Sequence, residues 1–118
     1  MSTMPEHCAK AENNEFLADQ LDNPFWDWAV TAVFYTAVHY VEAYFASRVP
    51  ARHLPNHTIR DNYIHHDRTL NVIHDDYRQL YDESRSARYD AGMTFTQADV
   101  GIAKGCLERI KKVVLPLL

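Results

Sequence analysis

Apolar residues recur at three- and four-residue intervals along most of this chain, and no stretch alternates apolar with polar as a half-buried strand would. With only 3 glycines in 118 residues, the pattern predicts an all-α protein: one domain over residues 1–118, built as an up-and-down bundle of four to five helices. A first helix is expected from about Pro5 to Leu21, turning Cys8, Ala9, Phe16, Leu17 and Leu21 toward the core. Asn23 is expected to cap a second, with Pro24 in its first turn, where a missing N–H costs nothing, and Asp27 complementing the helix dipole.

The second helix, PFWDWAVTAVFYTAVHYVEAYFASR, is apolar around most of its circumference and is expected to be the most buried. Trp26, Val30, Val33, Ala37, Val41 and Tyr44 form one stripe. Ala29, Ala32, Thr36, Tyr40 and Ala43 form a second, narrow enough for close helix approach. The single polar line is Asp27, Thr31, Tyr35, His39 and Glu42.

After a loop marked by Pro50 and Pro55, Asn56 is placed to cap a third helix starting at His57. A fourth carries Leu70, Ile73, Tyr77, Leu80, Tyr81 and Ser84 at core spacing, and the pattern leaves open whether a break near Asp67 separates the two. Residues 91–95 read as a loop. Thr96 with Asp99 resembles a capping box and opens a last helix with Val100, Ala103, Leu107, Ile110 and Val114 inward.

Composition narrows the function classes. A formal charge of −4 excludes a protein coated in positive charge, so any contact with nucleic acid has to be a local pocket. Cys8 and Cys106 lie nearly a chain length apart with no CxxC, which supports neither a disulfide framework nor a zinc knuckle. The amino-terminal residues lack a signal-peptide apolar core, and Asp27, His39 and Glu42 interrupt the most apolar stretch. A cytoplasmic protein without a membrane span is the expectation.

The candidate chemistry concentrates in residues 57–90, HTIRDNYIHHDRTLNVIHDDYRQLYDESRSARYD, which hold His57, His65, His66 and His74 among arginines. Histidine exchanges protons near neutrality and arginine is shaped to clamp phosphate, so together they suffice to cleave RNA without a metal or other cofactor. The competing reading is a solvated helix face with local pairs such as Asp61 with His65. A metal site is a third: His53, His57, Asp61, His65 and His66 include i,i+4 pairs, but no HExxH and no cysteine ligand pattern accompanies them.

The helix DWAVTAVFYTAVHYVEAYFASR, the segment HTIRDNYI and the segment YRQLYDESRSARYD resemble the HEPN superfamily of small helical domains, over about Phe25 to Val114. The resemblance implies a bundle that pairs with a second copy. It also implies, for many members, a metal-independent endoribonuclease of toxin or defence type whose site is an Arg followed after four to six residues by His. Other members are non-catalytic RNA- or nucleotide-binding or scaffold modules, or partners of nucleotidyltransferases. A toxin would also bring a cognate antitoxin.

Arg60 with His65 fits that motif at the family position. Chance alone supplies about one such pair in a chain with this many arginines and histidines, and Arg60 with His66 and Arg52 with His57 also satisfy the spacing. On a continuous helix, residues five apart point about 140° from one another, whereas His57 and Arg60 share a face. The resemblance implies Arg60 with His65 as the catalytic pair, while helix geometry favours His57 as the partner of Arg60; Asp61 and His66 are further alternatives or supports. His39 and Glu42 on the polar line of the second helix read first as a hydrogen-bonded pair fixing packing, and otherwise as support for the site. Arg78, Arg85 and Arg88 share a face and are candidates for phosphate contact, against the simpler reading of salt bridges to Asp75, Asp82 and Asp90.

Overall fold

A computed structural model describes residues 1–118 as five helices: α1 (Met4–Gln20), α2 (Trp26–Ala46), α3 (His57–His66), α4 (His74–Tyr89) and α5 (Gln97–Val114), with short 3-10 turns at Asn71–Ile73 and Leu115–Leu117. There is no strand, and the architecture is an all-α bundle. Its radius of gyration of 13.8 Å is close to the value of about 13.5 Å expected for a folded chain of this length. No helix is long and apolar enough to cross a membrane.

α2 is the centre of the bundle and packs against α1, α4 and α5. Fifteen of its 21 residues are buried. Both expected stripes face inward, with only Trp26 half-buried at the edge. Val30, Val33 and Val41 have no exposed surface, which stabilises the fold by about 1.5 kcal/mol for each side chain. The positions predicted inward on the last two helices are buried, except that Tyr81 is half-buried and lines a surface cavity; Leu70 and Ile73 precede α4, at and in the 3-10 turn.

The face of α1 differs from expectation. His7, Ala11 and Ala18 are buried, whereas Phe16 is 66% and Leu17 48% exposed, Ala9 is exposed, and Cys8 and Leu21 are half-buried. The cause is the seam with α2: two alanines let the helices approach closely where bulky side chains would hold them apart. His7 is drawn in because its Nδ1 lies 3.1 Å from His39 Nδ1, so one ring donates and the other accepts.

The start of α2 is also later than Asn23 and Pro24 suggest. Asp22 closes a turn, accepting from the Phe25 amide at its carbonyl (2.7 Å) and from the Asn23 amide at its carboxylate (2.7 Å), so residues 23–25 precede the helix and Phe25 is its N-cap. Asp27 does lie in the first turn.

Two capping expectations hold. Asn56 accepts from the Ile59 amide at 2.9 Å, and Thr96 and Asp99 form a reciprocal capping box. The open question at Asp67 resolves as a break. The α3 helix ends there in extended backbone, and Asp67 Oδ1 accepts from the amides of Thr69 (2.8 Å) and Leu70 (2.9 Å), while the Tyr44 hydroxyl donates to Oδ2 (3.1 Å). One carboxylate thus ends α3, starts the next turn and ties both to α2.

Candidate functional site

α3 packs against α4 and the 3-10 turn at Asn71–Ile73, and its residues divide by the direction they face. Arg60 points inward. Its Nε donates to Glu42 Oε1 at 2.9 Å, its Nη2 to the Leu54 carbonyl at 3.3 Å and its Nη1 to the Tyr77 hydroxyl at 3.4 Å. Glu42 is 3% exposed and the Arg60 side chain 12%, so this is a buried ion pair joining α2, the loop before α3, and α4. Burial pushes the Tyr77 hydroxyl up to about 12, so it stays protonated and neutral beside the pair.

Arg60 is therefore far less accessible than a surface motif residue, and its removal is expected to disturb the fold. The expected pairing of Glu42 with His39 is replaced: Glu42 takes Arg60, and His39 takes His7. Burial lowers the pKa of both His7 and His39.

His57 shares the Arg60 side of α3. Its ring lies parallel to Tyr81, with centroids 3.3 Å apart and planes within 2°, and it meets Phe34 edge-on. Both ring nitrogens are buried with no hydrogen-bond partner within the chain. That arrangement costs about 1–3 kcal/mol relative to a satisfied imidazole. Burial, with a smaller opposing pull from Asp61, depresses the pKa to about 4, so the ring is neutral at pH 7.

His57 and Arg60 form the back of a surface cavity of about 630 Å³ closed by Tyr35, Tyr81, Arg85 and Arg88. Arg88 donates to the Tyr35 hydroxyl at 2.7 Å and to the Ser84 carbonyl at 3.1 Å, and Arg85 donates to the Tyr81 hydroxyl at 3.2 Å. Neither enters an ion pair, whereas Arg78, the third arginine of the expected set, is bound to Asp61 (3.8 Å) and Asp82 (3.5 Å). The salt-bridge reading thus describes Arg78 alone, while Arg85 and Arg88 keep their charge unspent over a cavity of ligand size.

His65 lies elsewhere. It is exposed on the outer side of α3, its ring against those of His66 (5.0 Å) and His74 (4.9 Å). Since α3 is unbroken from His57 to His66, Arg60 and His65 diverge within one subunit, as five-residue spacing on a helix requires. Asp61 pairs with His74, whose Nε2 donates at 3.0 Å, and not with His65. His66 Nδ1 donates to the Asn62 carbonyl at 2.8 Å. No three of the His, Cys, Asp or Glu side chains converge as a metal site would need.

Tyr35 and Tyr81 are contributors that spacing alone assigned to the polar line and to the core. For Tyr81 the available signal was its position one turn before Arg85, where its hydroxyl accepts from the guanidinium; Tyr35 stands 53 residues from Arg88 on another helix, and no local signal pointed to it. Comparison with protein-family models, curated proteins and solved structures finds no match to this chain.

Proposed function

We propose that this protein is an RNA- or nucleotide-binding module whose ligand enters the cavity of His57, Arg60, Arg85 and Arg88. The observation that carries the reading is the pair Arg85 and Arg88: two guanidiniums outside any ion pair, hydrogen-bonded to tyrosine hydroxyls beside rings on which a base can stack. An acidic chain with a local cationic pocket binds an exposed phosphate there without coating itself with nucleic acid. The HEPN superfamily, which the sequence resembles, includes binding modules without catalytic activity.

His57 favours a second reading, metal-independent endoribonuclease action. A neutral imidazole behind the phosphate pocket takes the 2′-OH proton, the 2′-oxygen bonds to phosphorus, and the bond to the 5′-oxygen breaks, giving a 2′,3′-cyclic phosphate and a 5′-OH. A second copy in a homodimer would protonate the leaving oxygen. A pKa near 4 makes free His57 a weak base, and the negative charge of a phosphodiester beside it raises that pKa.

Fluorescence anisotropy with a labelled single-stranded RNA separates the readings when run beside a cleavage assay in EDTA. Binding that weakens with salt and falls at least about tenfold in Arg85→Gln/Arg88→Gln is expected. Unchanged affinity in that variant refutes the cavity as the site. Cleavage in EDTA that is lost in His57→Ala while binding persists establishes the second reading, and cleavage restored only by a divalent metal refutes it.

A further inference from the structure

The opposite side of α3 carries another cavity, of about 550 Å³, lined by Phe45, Arg48, Arg52, Asn62, Tyr63 and His66. The chain after α2 folds back so that the amides of Arg48 and Arg52 both donate to the Phe45 carbonyl, at 3.3 and 3.0 Å, which fixes the two arginines at the C-terminal end of α2. Each guanidinium is then held by neutral groups. Arg48 lies 4.2 Å from the Tyr44 ring centroid and donates to the Leu117 carbonyl at 3.2 Å. Arg52 lies 5.3 Å from the Tyr63 centroid and donates to its hydroxyl at 3.3 Å.

Neither arginine takes part in an ion pair, in contrast to Arg60, Arg78 and Arg109, each of which meets a carboxylate at 3.8 Å or less. Asp67 also borders the cavity, but its two oxygens already accept from the Thr69 and Leu70 amides and the Tyr44 hydroxyl. Two oriented guanidiniums outside any ion pair, against the single carboxylate of Asp67, stand beside exposed Tyr63 with Asn62 and His66 on the α3 wall and match a ligand bearing both a phosphate and a planar ring.

We propose that this cavity is a second nucleotide site, with the phosphate on Arg48 and Arg52 and the base against Tyr63 near Asn62. It shares no residue with the cavity of His57, and α3 stands between them. The assignment does not require that the first cavity bind RNA.

Two-dimensional amide NMR of the whole chain, titrated with adenosine 5′-monophosphate, inorganic phosphate and adenosine in turn, tests it. The monophosphate is expected to shift the amides of Phe45, Asn62 and Tyr63 saturably and at least about tenfold more tightly than phosphate or adenosine. In Arg48→Gln/Arg52→Gln those shifts disappear while the remaining spectrum stays that of the folded protein. No saturable shift at these amides, or shifts that persist in the double variant, overturns the proposal. Adenosine or phosphate binding as tightly as the nucleotide also overturns it, since the site would then lack one of its two halves. Shifts at His57, Arg85 and Arg88 report the first cavity separately, so either site can fail alone.

Discussion

Removing Arg60 is the sharpest test of how this fold is held. Arg60→Ala deletes the donor to Glu42 at 2.9 Å and the donor to the Leu54 carbonyl, and leaves a carboxylate that is 3% exposed. What remains for Glu42 is the Leu54 amide at 3.5 Å and His53 Nδ1 at 4.0 Å, on a ring that is half exposed. Breaking a buried pair from one side costs about 3–5 kcal/mol, and the nearby imidazole places this case at the lower end. Against a total stability of about 5–15 kcal/mol, and at about 4 °C per kcal/mol for a chain of this size, Tm is expected to fall by about 12 °C.

The same change in a Glu42→Gln background should cost about half as much, because no unpaired charge is then left behind. Urea unfolding followed by helical circular dichroism gives both differences at an unchanged slope. A loss below about 1 kcal/mol in the wild-type background, or equal losses in the two backgrounds, refutes the ion pair as a structural clamp. The outcome also governs how nuclease data are read, since inactivity of Arg60→Ala would follow from unfolding as readily as from lost transition-state stabilisation.

His57 gives a pH prediction. Its folded pKa of about 4 lies below the ordinary 6.5, so between these values the unfolded chain binds the extra proton, and stability is full above pH 6.5 and declines as pH falls toward 4. The decline amounts to about 3 kcal/mol at most, and His57→Leu should flatten it; urea melts at pH 7 and 4.5 showing the same slope in both proteins would refute this. At the start of α5, Thr96→Ala removes the acceptor for the Asp99 amide and is expected to cost about 1 kcal/mol, or about 4 °C in Tm, with no effect on RNA binding; an unchanged Tm would remove the capping box from the account.

The parts of the fold legible in the sequence are those where one face of a helix is uniformly apolar or a cap is local. α2, α4 and α5 declare their inner faces by spacing, and Asn56 and Thr96 cap within three residues of themselves. α1 does not: apolar and polar residues are spread around it, and its inner face is decided by which side chains are small enough for the seam with α2. The site follows the same division. That His57 and Arg60 share a face follows from three-residue spacing, and that Arg60 and His65 diverge follows from five.

That Arg60 is spent on Glu42 is not local, because the partner stands 18 residues away and comes near only once α2 and α3 pack. Charge counts alone could not distinguish Arg78, which meets Asp61 and Asp82, from Arg85 and Arg88, which meet tyrosine hydroxyls. Among arginines on one face, the acceptor each finds after packing decides which remains able to hold a phosphate. By that criterion the arginines left outside ion pairs for the proposed ligands are Arg85 and Arg88, and Arg48 and Arg52 across α3, while Arg60 is bound to Glu42 in the core.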